Sequence, residues 1–376
     1  VRPGDRFDVE VGVPAAGGAC VAHGPDGRVV FVRHALPGEL VEVEVTSVTS
    51  RFARADALVV RRGAPTRVDP PCPHAGPGRC GGCDWQHVAL ATQRDLKAAL
   101  VQEQLARVAR VEREVVVEEV PGAPTGLGWR TRLTLAVDRE GRPALHRHRS
   151  HDLLAIGSCP IAAPGIETSG ALRATWPGAR EVEVATTADG AQRTVAVTGG
   201  RRPAATGADA GLVADGRPVR GPHGLRHTVG GRRFEVSAGG FWQGHVGLPE
   251  VLVDGVLAVL DPQPGERAVD LFAGAGLFAA HLGAAVGPTG TVLAVEADRR
   301  ACADAARNTD DQPHVRIRTA AVDERLLRSL PAIDLVVLDP PRAGLGTGPA
   351  AALAALRPRA AAYVSCDPAS FARDLR

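Results

Sequence analysis

Cys366 lies in the stretch YVSCDP, at the end of an apolar run that begins at Ala360. A thiol so placed can be a small core residue, half of a disulfide, a metal ligand or a nucleophile. Three other cysteines crowd together as Cys72-x7-Cys80-x2-Cys83, and Cys159 follows in GSCPI. Four thiolates suit a zinc ion or a [4Fe–4S] cluster, and His74 is a further zinc donor, so the spacing leaves both metals open. The chain has seven cysteines, an odd number, and shows no signal-peptide pattern, which argues against a disulfide framework. Cys20 and Cys302 fall in no pattern and read as ordinary small apolar residues.

The segment DLFAGAGLFA joins an expected strand to an expected helix. Gly274 and Gly276 permit a tight turn and a close backbone approach to a ligand, and the helix start offers unpaired N–H groups. Glu296 ends the next apolar strand, where a carboxylate can accept from both ribose hydroxyls of an adenosine. The loop alone fits S-adenosylmethionine, a dinucleotide of the G-x-G-x-x-A kind, or a turn with no ligand. Asp339 ends IDLVVLD and Cys366 ends AAAYVSC. Ligands of open parallel sheets sit at the carboxyl ends of strands, so Gly274, Glu296, Asp339 and Cys366 are expected on one edge. A thiolate beside a methyl donor suits methylation at C5 of uracil. Its addition to C6 makes an enolate whose C5 can attack a sulfonium methyl, and loss of the C5 proton then expels the thiol. The base must be unpaired or flipped out of its stack.

Positioning these groups calls for more than one domain in a chain of 376 residues. Residues 1–60 alternate apolar and polar in short runs (DRFDVEVGV, GRVVFVRHA, ELVEVEVTSV, RADALVV), which predicts a small β-barrel. Residues 61–238 are expected to form a β-rich central domain. It opens with a Pro-, Gly- and Cys-rich loop wrapped around a metal, followed by a helix over 93–111. RTRLTLAVD, EVEVATTA and QRTVAVTGG read as its strands, and 199–224 as a mobile insertion. From 239 to 376 strands alternate with helices, the pattern of a doubly wound parallel α/β sheet.

Hydrophobic residues make up 44 % and charged residues 23 %, values of a soluble globular protein, and no apolar run is long enough to span a bilayer. A cytoplasmic protein without a membrane partner is expected. The net charge of +2 does not by itself predict nucleic-acid binding, although Lys97 is the only lysine and nearly all the cations are guanidinium groups suited to phosphates and base stacking.

Over nearly its whole length the sequence resembles the RNA uracil-5-methyltransferases that carry an N-terminal TRAM domain, an OB-like barrel, and a [4Fe–4S] cluster. HGPDGRVVFVRHALPGELVEVEV is similar to TRAM, and FWQGH to the family's F-x-Q-x-N. DLFAGAGLF, VEAD, LDPPRAGLG and YVSCDPASFARDL follow in the family's order. The resemblance implies a Rossmann-like catalytic domain at 239–376, with Cys366 as nucleophile and with Gln243, Phe272, Glu296 and Asp339 in contact with S-adenosylmethionine. Asp339 would also lie close to the target uracil. It implies a structural cluster on Cys72, Cys80, Cys83 and Cys159, an RNA substrate (tRNA or rRNA) gripped by the barrel and central domain, and a helix 93–111 packed on the catalytic domain. A monomer is expected.

His245 stands where the family has Asn, and Leu277 where it often has Asn. The family's general base is a Glu beyond the Cys motif. No residue up to Arg376 matches it, so the sequence is expected to be a truncated product. Two rivals remain: an RNA-binding or folding factor without catalysis, and a radical methylthiotransferase, whose C-x3-C-x2-C spacing is not present here.

Overall fold

The computed structural model describes residues 1–200 and 210–376. By compactness the chain divides into two units. One comprises Val1–Ala106, Glu112–Glu119 and Ala144–Pro160, the other Arg107–Val111, Val120–Pro143 and Ile161–Arg376.

In the first unit, alternation makes a barrel. Along Leu40–Val48 the side chains of Val41, Val43 and Val45 are buried while Glu42 and Glu44 stay partly exposed. The strands run in the order Arg6–Glu10, Leu40–Val48, Phe52–Arg62, Val29–Arg33, Ala19–His23, Pro14–Ala15. Beyond its first five residues the leading strand bends to meet the fifth in that order. Gly12 N donates to Val21 O at 2.7 Å and Val21 N to Val13 O at 2.9 Å, which closes the sheet on itself. Val9, Val30, Val32, Val43 and Ala55 fill the interior. A helix follows at Leu90–Gln104, three residues earlier than expected, and passes into a π-helical turn at Leu105–Ala109. The left-handed backbone of Arg110 (φ 61°) stops it short of 111. A hairpin pairs Ala144 with Ala155 and His146 with Leu153.

The second unit carries an antiparallel ladder in which Glu181–Thr186 pairs with both Arg132–Val137 and Arg193–Thr198. The stretch 199–224, expected to be mobile, includes two strands. Gly211–Ala214 joins Arg193–Thr198 in parallel, and Arg217–Arg220 turns back on it. Their valines and leucine are too sparse to show a period in sequence, and edge pairing supplies the order instead. Residues 201–209 of that stretch lie outside the described residues. A hairpin, Gly224–Val229 with Arg232–Ser237, follows.

The parallel sheet has the order Val315–Thr319, Thr291–Glu296, Arg267–Leu271, Leu335–Leu338, Ala360–Tyr363. Every pairing is parallel. Successive residues face opposite sides. Leu335 and Val337 join a core with helices Leu248–Leu260 and Leu277–Val286, whereas Val336 and Leu338 join one with Glu324–Ser329 and Thr347–Ala355. Coverage on both faces is why these strands read as unbroken apolar runs. The strand order switches beside Arg267–Leu271, and doubly wound sheets take their ligands at the carboxyl edge beside such a switch. Among the described residues no helix is long and apolar enough to cross a membrane.

Candidate active site at the carboxyl edge of the parallel sheet

The sheet register sets the site. Val295, Leu271, Leu338 and Tyr363 lie in one row across four strands. The next residue of each strand, Glu296, Phe272, Asp339 and Val364, therefore reaches the same edge.

After Leu271 the chain turns through left-handed backbone at Phe272 (φ 63°), Gly274 (φ 54°) and Gly276 (φ 86°), and Gly276 caps helix Leu277–Val286. A Cβ at Gly276 would sit 3.2 Å from Cα and Cβ of Ala305, so glycine there lets two helices approach. A Cβ at Gly274 would meet no other part of the protein within 4 Å, which leaves open space over the loop. Glu296 fixes the loop: its carboxylate accepts from Gly274 N at 3.0 Å and from Asp298 N at 2.8 Å.

Beneath the loop lies a group that sequence reasoning missed. Asp270 is fully buried, with one carboxylate oxygen accepting from Ala279 N at 2.8 Å and the other without a partner. Burial, and then the charges of Asp339 and Glu296, push its carboxyl well above the usual range. Its signal was visible as the lone charge inside AVDLF.

Gln243 donates its side-chain amide to Asp339 at 2.9 Å. Burial raises the Asp339 carboxyl, and the Gln243 hydrogen bond opposes that rise. The Gln243 segment is laced to residues 129–131: Thr131 N donates to Gly244 O at 2.9 Å and Val246 N to Trp129 O at 2.9 Å. His245, where an Asn was expected, stacks on Trp129 with ring centroids 5.5 Å apart and accepts from Gly247 N through Nδ1 at 3.1 Å. Phe241 is 65 % exposed.

The last strand ends at Tyr363 rather than at Cys366, which puts the thiol in an exposed turn. Asp367 caps the following helix, Pro368–Leu375, by accepting from Ser370 N at 2.8 Å. That helix carries a second missed residue. Asp374, its side chain 1 % exposed, accepts from Leu345 N at 2.6 Å, Gly346 N at 3.1 Å and the Tyr363 hydroxyl at 2.8 Å. Arg373 donates to Ala343 O at 2.7 Å. The loop after Asp339 and the helix after Cys366 are thus joined into one wall.

Cys72, Cys80 and Cys83 are half-buried, Cys159 is buried, and all four belong to the first unit. Their loop is shaped by backbone turns: Ala75 N donates to Cys72 O and Cys80 N to His74 O. Gly82 N approaches Cys80 Sγ at 3.4 Å. Among the described residues no three His, Cys, Asp or Glu side chains are grouped to hold a metal ion. Cys20 and Cys302 are buried packing residues, and burial drives the Cys20 thiol up to about 12.

A model of the TRAM domain matches residues 1–58, the barrel. A protein of Streptomyces coelicolor named an uncharacterized RNA methyltransferase is 42 % identical, over 99 % of this chain and 86 % of its own. The 23S rRNA (uracil(1939)-C(5))-methyltransferase RlmD of Thiobacillus denitrificans is 31 % identical, over 93 % of this chain and 87 % of its own. Among solved structures, the Pyrococcus abyssi tRNA (uracil-54, C5)-methyltransferase in complex with S-adenosyl-L-homocysteine matches with a TM-score of 0.70 at 21 % identity. The match covers 98 % of this chain and 92 % of that one, and it is a likeness of fold.

Proposed function

Since the chain belongs to the TRAM-domain RNA methyltransferases, we propose that it methylates C5 of a uracil in tRNA or rRNA, with S-adenosylmethionine as donor. The observation that carries this reading is the shared edge: the Gly274–Gly276 loop, Glu296, the Gln243–Asp339 pair and the exposed Cys366 turn all follow one row of the sheet.

The residues present fit the donor. Open space over Gly274 and the carboxylate at Glu296 suit an adenosine. Gln243, Phe272, Gly274, Gly276, Glu296 and Asp339 would hold it. When bound, the donor supplies an electrophilic methyl group.

Cys366 is the proposed nucleophile. Its thiolate adds to C6 of the uracil, forming an S–C bond as the C5–C6 π electrons move toward O4. C5 would then take the donor's methyl group, and S-adenosylhomocysteine would leave. A base removes the C5 proton, the electrons return to C5–C6, and the thiolate leaves. Asp339, hydrogen-bonded by Gln243, would accept from the N3–H of the base. Exposure of Cys366 suits a flipped nucleotide arriving from solvent.

Cys72, Cys80, Cys83 and Cys159 are assigned to a [4Fe–4S] cluster, with zinc as the competing metal. Support comes from four thiols in one unit, three of them in a Gly-rich loop. Their sulfurs are not grouped among the described residues, so the metal would draw them together.

The test is transfer of a labelled methyl group to unmodified RNA, with 5-methyluridine identified in the digest. RNA carrying 5-fluorouridine should trap the protein covalently on a denaturing gel, and Cys366→Ala should neither methylate nor trap. A Cys366→Ala protein that still forms 5-methyluridine refutes the assignment.

A further inference from the structure

Gln243 reaches Asp339 from an irregular segment. Residues 238–247 belong to no helix or strand and link the hairpin strand Arg232–Ser237 to helix Leu248–Leu260. Such a segment has no ladder to fix its side chains, so other contacts must supply the restraint. Its flank is not packed solid. A cavity of about 220 Å³ is lined by Thr131, Asp189, His227, Trp242, Gln243 and His245. Dense packing is what normally confines a side chain, and here part of it is absent.

Two ring stacks take its place, one on each side of Gln243 in sequence. Trp242, 6 % exposed, lies against His227 with centroids 4.6 Å and planes 20° apart, and meets buried Phe234 at 5.5 Å. His245 lies against Trp129 with centroids 5.5 Å and planes 16° apart, and the bond from Gly247 N to its Nδ1 fixes the turn of the ring. Burial holds both imidazoles below their ordinary value, His227 at about 4, so each ring stacks uncharged near neutrality.

The backbone between the stacks is tied to one residue. The Thr131 hydroxyl donates to Gln243 O at 3.3 Å, and Thr131 N donates to Gly244 O at 2.9 Å. The partners come from separate elements of the second unit: His227 and Phe234 from the hairpin, Trp129 and Thr131 from the segment leading into Arg132–Val137. The Gln243 amide meets Asp339 at 2.9 Å from this base. A ring at 245 supplies stacking area that the family's Asn lacks.

We propose that Trp242 and His245 are positioning residues of the methyl transfer, their stacks on His227 and Trp129 holding the Gln243 amide in place against Asp339. The proposal rests on the methylation reading and adds two residues that act through Gln243.

The test is a double-mutant cycle on the full chain, read as single-turnover methyl transfer to unmodified tRNA and rRNA transcripts. Trp242→Leu and His245→Ala should each slow transfer about tenfold, the scale of one lost aromatic pair. Trp242→Phe keeps a ring on His227 and should stay within about twofold of wild type. In a Gln243→Ala background, Trp242→Leu and His245→Ala should each cost less than about twofold more, because the group they position is gone. Equal losses in both backgrounds would assign the rings to stability alone and overturn the proposal.

A second readout needs no activity. The Asp339 carboxyl carbon, assigned by NMR through its loss in Asp339→Asn, should titrate at higher pH in Trp242→Leu and His245→Ala, as in Gln243→Ala, and stay in place in Trp242→Phe. Asp270, whose carboxyl feels the Asp339 charge, is left untouched in all of these variants. If Trp242→Leu does not fold, His245→Ala, at a half-buried position, carries both measurements. An Asp339 titration equal to wild type in the folded variants overturns the proposal. A wild-type protein that transfers no methyl group, with the titration shifts present, would leave the positioning of Asp339 standing and refute the methylation reading.

Discussion

Gln243 donates its side-chain amide to Asp339 across 96 residues of sequence, at 2.9 Å. The pair joins the segment before the parallel sheet to the carboxyl edge proposed as the site. Burial raises the Asp339 carboxyl and Gln243 opposes the rise. Gln243→Ala removes the opposition, so the carboxyl should titrate higher. If the ionised form is required, the acidic limb of the kcat/KM profile should move to higher pH. Near neutrality, activity should fall about tenfold to a hundredfold, the effect of one charge-assisted hydrogen bond. An acidic limb that stays in place would separate Asp339 ionisation from the reaction.

Asp374 accepts two amides and a hydroxyl in a buried position. Asp374→Asn exchanges an acceptor pair for one acceptor and one donor facing N–H groups. Unfolding free energy in urea should fall by about 1–3 kcal/mol, the cost of stranding buried partners. The amides of Leu345 and Gly346 should lose hydrogen-exchange protection ahead of the rest of the sheet. Unchanged protection at both would remove Asp374 from the wall.

His227 is 7 % exposed, stacks on Trp242 with centroids 4.6 Å apart, and has Nε2 without a partner. Burial lowers it to about 4, with the Arg132 charge adding to the effect. The folded-state value lies below the unfolded value near 6.5, so the unfolded chain binds the proton first as pH falls. Stability is therefore full above about pH 6.5 and lost on going down to about 4, by up to roughly 3 kcal/mol for this group. His227→Phe keeps a ring against Trp242 and should lose less stability than wild type over that window in parallel urea titrations. Parallel curves would show that the imidazole is not the cause.

Protein purified without oxygen should be brown and contain about four irons per chain, the content of one tetrathiolate cluster. Cys159→Ala, far along the chain from the cysteine loop, should lose the iron and the visible absorption while RNA methylation is assayed separately. Stoichiometric zinc with no iron would assign the thiols to the competing metal.

Much of this site could be read from one-dimensional pattern. Unbroken apolar runs ending in Glu296 and Asp339 gave a parallel sheet, and the carboxyl-edge rule then brought those carboxylates to the Gly274–Gly276 loop. Gln243 carries no such pattern and was reached only through the family resemblance of FWQGH. Asp374 carries no signal in sequence, because the backbone amides that donate to it lie 29 and 28 residues upstream and meet it only after the sheet has formed. Within 199–224 the strand Gly211–Ala214 is not legible in sequence for a related reason: it owes its extended shape to Arg193–Thr198 beside it, not to its own propensity. His245 shows the opposite limit, since a stacked ring on Trp129 fills a place where a family pattern expected an amide.

The hydrogen bonds from Gly274 and Asp298 to the Glu296 carboxylate bear on the timing of entropy loss. A loop with three left-handed residues in succession of turns would otherwise sample many conformations, and each residue fixed costs about 1–2 kcal/mol. Here that ordering is completed when the strands dock, before any ligand arrives. A carboxylate has lone pairs left after accepting two amides, so the same group can receive a ribose without releasing the loop. Calorimetry of S-adenosylhomocysteine should then show only a modest ordering penalty, and Glu296→Gln should increase that penalty by loosening the loop in the unbound protein.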